Sequence, residues 1–110
     1  MYHYAVTLLE VIDADTLRLQ LDLGFSVFAN MSCRLARVNA PEMSTLQGAQ
    51  AKGFVVDTLA RAVDLQVTTA KPDKYGRWLV EFTFQDPQQG TQPINLSDLL
   101  LKTGNAVPYP

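Results

Sequence analysis

Oxygen-bearing side chains and guanidinium groups concentrate in three short segments: residues 13–16 (DADT), 34–42 (RLARVNAPE) and 73–77 (DKYGR). Each segment also contains residues that favour a turn of the backbone. Carboxylate and amide oxygens suit a hard cation, a carboxylate can activate water, and arginine binds phosphate through a planar fork of donors. Phosphodiester cleavage requires this set of groups, so the fold must bring the three segments together.

The first segment separates two stretches of alternating polar and apolar residues. Asp13 and Ala14 lie where a turn is expected, and an aspartate there often bonds the backbone two residues on. Asp15 opens the next stretch, where a turn-capping carboxylate is no longer required. Asp13 and Asp15 are therefore either turn residues or oxygen ligands of a cation, and Asp15 is the stronger ligand prediction.

The second segment carries the most site residues. Arg34 interrupts an apolar alternating stretch, where it is either a surface side chain or a buried one that needs a partner. Pro41 restricts Ala40 to extended backbone, which allows the Ala40 carbonyl to point outward. Together with the Asn39 amide and the Glu42 carboxylate, these are the mixed oxygen ligands of calcium, whereas magnesium demands stricter octahedral geometry.

The third segment combines two cations and a phenol in one predicted turn. A charged run of this kind is commonly a solvated hairpin loop. Arg77, however, stands where a strand is predicted to begin, a rigid position from which to contact a phosphate. Tyr109, between two prolines, is either part of a disordered tail or a stacking surface for a base.

The apolar periodicity predicts strands at residues 2–12, 15–22, 25–38, 65–69 and 78–84, and helices at 46–63 and 96–102. Ser44 or Thr45 and Asn95 are the predicted N-caps of the two helices. One helix falls between the third and fourth strands, and the alternation of strand and helix typical of parallel sheets is missing. We therefore predict a single α+β domain over residues 1–110, a five-stranded Greek-key barrel of the OB type with flanking helices.

Composition narrows the classes of function. Nine basic residues face eleven acidic ones, for a net charge of −2, so any nucleic acid must be held by a few local cations. One histidine and one cysteine exclude the usual zinc ligand sets, and Cys33 is predicted to be a buried small hydrophobe. No stretch approaches the ~20 apolar residues of a membrane span, and the first residues do not resemble a secretory leader. We expect a monomer that is cytoplasmic, or secreted if a leader has been removed.

The three segments resemble the motifs of the staphylococcal nuclease (thermonuclease) family, in the same order and at similar spacing. VIDADTLRL resembles V-x-D-G-D-T, RLARVNAPE resembles R-L-x-G-I-D-A-P-E, and DKYGR with Leu79 and Val80 resembles D-x-Y-G-R-x-L. The LDLGF run and the closing GNAVPY are similar to small phage- or prophage-encoded members. The resemblance covers nearly the whole chain.

The resemblance implies an OB-fold barrel and a calcium-dependent endonuclease that cleaves the bond to the 5′ oxygen of single-stranded or denatured DNA or RNA, leaving 3′-phosphate ends. Carried over by position, it implies that Asp15, the Asn39 side chain and the Ala40 carbonyl are calcium ligands, with Asp13 as a nearby supporting carboxylate. It implies that Glu42 is the general base and that Arg34 and Arg77 bind the scissile phosphate. Lys74 and Tyr75 would contact a neighbouring phosphate. Tyr109 is the predicted stacking contact to the substrate.

Three positions depart from the family pattern. Asn39 stands where aspartate is usual, and Ala14 and Arg37 stand where glycines are common. The change at Asn39 matters most because calcium affinity follows the charge of the ligands. Two hypotheses follow: an active calcium-dependent endonuclease, or a non-catalytic OB module that binds single-stranded nucleic acid or a protein partner. A purely structural component of a phage or mobile element is a third.

Overall fold

The computed structural model describes residues 2–72 and 77–109. The elements are β1 (Tyr2–Asp13), β2 (Thr16–Asp22), β3 (Phe28–Leu35), β4 (Val38–Asn39), α1 (Leu46–Ala60), β5 (Val63–Pro72), β6 (Trp78–Gln85), β7 (Ile94–Asn95), α2 (Leu96–Thr103) and β8 (Val107–Pro108), with a short 3₁₀ helix at Pro87–Gln89. Within these described ranges, no helix is long and apolar enough to cross a membrane.

The main sheet closes into a five-stranded barrel. Its strands lie in the order β3-β2-β1-β5-β6-β7, and β3 also pairs with β6. That pairing is parallel, with Cys33 opposite Trp78 and Leu35 opposite Val80, whereas the other main-sheet pairs are antiparallel. The predicted α+β barrel of the OB type is therefore confirmed, with the two-residue β7 added at its edge.

The core follows the twofold periodicity of the strands. Leu17, Leu19 and Leu21 of β2 are buried, while Arg18 between them is exposed, as expected for a strand with one face on the core. Cys33 is fully buried among these residues, and burial raises the pKa of its thiol to about 11. The prediction that Cys33 is a buried hydrophobe is therefore confirmed. A thiol with this pKa stays protonated, and so uncharged, at neutral pH.

The predicted third strand, residues 25–38, is wrong at both ends. Phe25 and Ser26 have φ values of 55° and 60°, and Arg37 has a φ of 72°, so all three lie in the left-handed region, which extended strands cannot contain. The stretch therefore divides into a hairpin turn, β3, a second turn and the short β4. The hairpin turn runs on past Gly24, and apolar alternation does not reveal its extent or the second turn because Phe25, Ser26 and Arg37 are not glycines.

Other predicted boundaries move by a few residues. Helix α1 ends at Ala60 instead of residue 63, and the Thr45 hydroxyl, one of the two predicted caps, accepts a hydrogen bond from Gly48 N at 3.0 Å. Strand β5 is longer than predicted. Ala14 is absent from the positive-φ residues found in the described part of the chain, so alanine at this turn carries no left-handed strain.

The segment after α2 returns to the residues that follow β3. Strand β8 pairs antiparallel with β4, with Val38 opposite Pro108 and Asn39 opposite Val107. Tyr109 continues this pairing because its N–H donates to the Arg37 carbonyl at 2.9 Å. Tyr109 therefore belongs to the folded domain, and the alternative of a free tail is wrong.

Two glycines of α1 are expected to respond oppositely to substitution by alanine. A Cβ at Gly48 would collide with the backbone carbonyl of Glu42, whereas a Cβ at Gly53 would meet nothing within 4 Å. Gly48→Ala should lower the free energy of unfolding by about 1–3 kcal/mol through overpacking. Gly53→Ala should raise it by roughly 0.5–1 kcal/mol through helix propensity. Urea unfolding of the two variants measures both changes, and equal effects would contradict the close approach of α1 to Glu42.

Candidate functional site

An open pocket of about 420 Å³ gathers the three chemistry-bearing segments. Eight of the ten predicted site residues line it: Asp13, Asp15, Arg34, Asn39, Ala40, Glu42, Arg77 and Tyr109. Pro41 and Met43 complete the lining. The other two predicted residues, Lys74 and Tyr75, lie outside the described residues.

Strand register brings the segments to one place. Asp13 and Thr16 face each other across the turn between β1 and β2. Thr16 lies opposite Arg34 on β3, and Arg34 lies opposite Leu79 on β6. Arg77 comes directly before β6. The turn after β1, the end of β3 and the start of β6 therefore meet at one part of the barrel, although they are distant in the sequence.

Arg34 is buried within the pocket wall and has a carboxylate partner. Only 8% of the residue is exposed, and its Nη1 lies 3.1 Å from Asp15 Oδ2. Nη2 donates to Asn39 Oδ1 at 3.3 Å, and the guanidinium carbon lies 5.3 Å from the centre of the Tyr109 ring, within the range of a cation–π contact. Of the two alternatives for Arg34, the buried and paired one is correct.

One donor of Arg34 is still unsatisfied. Despite its closeness to Asp15, the buried Nη1 makes no hydrogen bond of good geometry to any residue that the structure describes. A buried charged donor without an acceptor costs free energy. Arg34 lines the pocket, so its guanidinium lies beside any anionic ligand that enters there.

Asp15 ties the first segment to the second. Its Oδ2 accepts a hydrogen bond from Ala40 N at 2.9 Å, and its Oδ1 accepts one from the Thr16 hydroxyl at 3.1 Å. Its own carbonyl accepts from Leu35 N at 2.8 Å. Asp15 lies in the turn, one residue before β2, and not at the first position of the strand as predicted. Its side chain is therefore held by the Ala40 backbone and the Thr16 hydroxyl, and its backbone carbonyl is held by Leu35.

Glu42 presents an exposed carboxylate from a fixed backbone. Its carbonyl accepts hydrogen bonds from Thr45 N at 3.0 Å and from the Thr45 hydroxyl at 2.6 Å, at the start of α1. The side chain itself lies at the exposed rim of the pocket. The pocket thus combines a carboxylate that water can reach with guanidinium groups able to bind an anion, which is the chemistry of phosphoester hydrolysis.

A family model described as staphylococcal nuclease homologue matches residues 32–110. The chain belongs to the staphylococcal nuclease family. The matched residues contain Arg34, Asn39, Glu42, Arg77 and Tyr109, whereas the turn with the two pocket aspartates precedes them. None of the curated proteins compared with the chain matches it.

The oxygen donors of this staphylococcal nuclease homologue are of the chemical types that a hard cation binds. Asp15 and Asn39 offer a carboxylate and an amide oxygen, and Ala40 lines the same pocket. Each carboxylate oxygen has two acceptor positions, so Asp15 Oδ1 has one left beside the hydroxyl of Thr16. In residues 2–72 and 77–109, no three Asp, Glu, His or Cys side chains converge as a metal-binding group. The ligand set is therefore short of negative charge.

Two further features of this nuclease-family pocket escape sequence reasoning. Met43 lines the pocket beside Glu42, and an exposed methionine after a charged residue gives no signal of such a position. Strand β8, which comes directly before Tyr109 and places its ring next to Arg34, consists of two residues near a proline-rich end. So short a strand has no periodicity to detect.

Proposed function

We propose that the chain is a calcium-dependent endonuclease that hydrolyses single-stranded or denatured DNA or RNA. The observation that carries the proposal is that Arg34, Arg77 and Glu42 line one open pocket. Had these three side chains lain on separate faces of the barrel, no phosphodiester could contact all of them. The family assignment supports the same class of reaction.

Substrate binding in this proposal depends on the two arginines. Arg34 and Arg77, which both line the pocket, donate hydrogen bonds to the nonbridging oxygens of one phosphate. Tyr109, about half exposed beside Arg34, offers its ring to a neighbouring base. Because the whole chain carries a net charge of −2, binding rests on these local contacts and weakens steeply with salt.

The proposed chemistry is the attack of water on phosphorus. Glu42 accepts a proton from the water as the water oxygen bonds to phosphorus, the bond from phosphorus to the 5′ oxygen breaks, and the departing 5′ oxygen takes up a proton from solvent. The products are a 3′-phosphate and a 5′-hydroxyl. Negative charge that builds on the phosphate oxygens is stabilised by the two guanidinium groups, which are oriented before the reaction begins.

Calcium is the proposed cofactor. Asp15, the Asn39 side chain and the Ala40 carbonyl would hold it, and when bound it would supply positive charge next to the phosphate. With one carboxylate among these ligands, and with that carboxylate beside Arg34, the site should be weak. We expect a Kd no tighter than about 10⁻⁴–10⁻³ M, the range of low-affinity calcium sites.

Asn39→Asp should raise calcium affinity because it adds a second ligand charge. We expect the calcium concentration for half-maximal cleavage of denatured DNA to fall roughly 10-fold, equivalent to about 1.4 kcal/mol. Asn30→Asp is the matched control, since Asn30 is exposed on β3 and does not line the pocket. Chelation of calcium should stop cleavage by all of these proteins. Activity that persists in excess chelator would contradict the metal requirement.

A non-catalytic binding module is the second candidate function. The ion pair of Arg34 with Asp15 favours it, because Arg34 already partly offsets the charge of the single ligand carboxylate, and Arg34 also occupies the Asn39 oxygen. In that case the wild type should bind single-stranded oligonucleotides in fluorescence anisotropy but stay inert in millimolar calcium, while Asn39→Asp cleaves. Cleavage by the wild type in calcium supports the endonuclease instead.

A further inference from the structure

Arg37 has an unfavourable backbone conformation and an unusually complete set of side-chain contacts. Its φ of 72° lies in the left-handed region, which residues with a Cβ rarely adopt. It lies two residues after the buried end of β3 and directly before β4. A strained residue at such a place must be held by its surroundings.

The side chain of Arg37 forms a cluster with Glu81, Asn95 and Asp98, here called the Arg37 cluster. Nε and Nη2 of Arg37 each lie 2.8 Å from a different oxygen of Glu81, which is a bidentate pair. Nη1 lies 3.0 Å from Asp98 Oδ1, and Nη2 also donates to Asn95 Oδ1 at 3.3 Å. Asn95 Nδ2 donates to Glu81 Oε1 at 3.0 Å. The cluster therefore joins the turn before β4 to β6 and to the start of α2.

The opposite charges of Arg37 and Glu81 strengthen the contacts within the Arg37 cluster. The hydrogen bonds from Arg37 lower the pKa of Glu81, and those same bonds raise the pKa of Arg37 further above its usual value. Both groups are therefore ionised at neutral pH. Because Asn95 is also the N-cap of α2, accepting from Asp98 N at 3.1 Å, the cluster is anchored to a fixed helix end.

The backbone of Arg37 connects the cluster to the pocket. Its carbonyl accepts the hydrogen bond from Tyr109 N at 2.9 Å, and the next two residues form the β4–β8 pairing. The Tyr109 ring then lies 5.3 Å from the guanidinium carbon of Arg34. Asn39, the second residue of β4, accepts from Arg34 Nη2. Two partners of Arg34 thus depend on the conformation of the Arg37 turn.

We propose that the Arg37 cluster is a positioning element, which fixes the β4–β8 pair so that Tyr109 and Asn39 hold the Arg34 guanidinium in place. Arg37 itself does not line the pocket. Its effect on cleavage rests on the proposed nuclease function, whereas its effect on the orientation of Arg34 does not.

The test follows the Nε–H resonance of Arg34 by NMR, since the ring current of Tyr109 shifts it. Tyr109→Leu provides the reference for loss of that ring. Arg37→Gly removes the cluster and accepts the left-handed φ without strain, and Glu81→Gln weakens the cluster without changing the turn. Arg37→Lys keeps a charge but loses the bidentate fork. Arg18→Ala is the control, because it removes an exposed pair with Glu10, and neither residue lines the pocket or belongs to the Arg37 cluster.

Arg37→Gly and Glu81→Gln should move the Arg34 resonance toward its position in Tyr109→Leu, and Arg37→Lys should move it less. The same variants should lower kcat/KM for denatured DNA by roughly 10- to 100-fold while fully folded, and Arg18→Ala should change neither readout. A shifted resonance in a protein that never cleaves DNA supports the positioning and contradicts the nuclease. An unchanged resonance in folded Arg37→Gly and Glu81→Gln overturns the inference.

Discussion

Glu42→Gln is expected to abolish cleavage and to leave the fold intact. Glutamine keeps the size of the side chain but cannot accept a proton from water, and loss of a general base costs about 10²–10⁴ in kcat. The Glu42 side chain is exposed, and the contacts that fix this position are made by its backbone carbonyl to Thr45. The substitution therefore removes the proposed base and little else. Single-turnover cleavage of denatured DNA in saturating calcium measures the effect.

Glu10→Gln is the matched control for that experiment. Glu10 is likewise exposed. It forms an ion pair with Arg18, 3.5 Å away on the neighbouring strand and outside the pocket. It should cleave at the wild-type rate, and both variants should bind a single-stranded oligonucleotide as the wild type does. Equal cleavage by Glu42→Gln and the wild type would remove Glu42 from the role of base.

Arg34→Ala should cause the largest loss of stability of any pocket substitution considered. Arg34 and Asp15 are both about nine-tenths buried and lie 3.1 Å apart. Removal of one partner leaves the other as an uncompensated buried charge, which costs about 3–5 kcal/mol. The variant should also lose binding of single-stranded oligonucleotides, because one of the two proposed phosphate ligands is gone.

Urea unfolding compares Arg34→Ala with Arg18→Ala. The second substitution breaks an exposed ion pair, whose partners are each about half exposed, and should cost less than about 1 kcal/mol. Asp15→Asn combined with Arg34→Ala should recover part of the loss, because no unpaired charge then stays buried. Equal destabilisation by the two arginine substitutions would mean that water reaches the Arg34–Asp15 pair.

The three segments of the pocket could be located from the sequence because their signals are local, and their order and spacing match the motifs of one family. Turn residues mark the first segment, Pro41 restricts the second, and alternating strands on either side set the register that places Thr16 opposite Arg34. The barrel follows from the same alternation together with one helix between strands. Strands with regular alternation, such as β2 and β6, are therefore located to within a residue or two.

Features that depend on distant contacts could not be predicted. Alternation alone left the burial of Arg34 open, because the residues that contact it, Asp15 and Tyr109, come from elsewhere in the chain. Arg37 has a left-handed φ although it is not a glycine, so its residue type does not indicate this conformation. Its side chain is held by ion pairs with Glu81 and Asp98. The two-residue strand β8 exists only because β4 offers a partner.

The parallel pairing of β3 with β6 also determines when the pocket can form during folding. It joins strands separated by a helix and two further strands, so the chain must lose much loop entropy before this contact forms. An early intermediate built on the hairpins of the first three strands can contain the Arg34 side but not the Arg77 side. In the proposed nuclease, affinity for phosphate therefore emerges only in the step that closes the barrel, and a partly folded chain does not present a complete pocket.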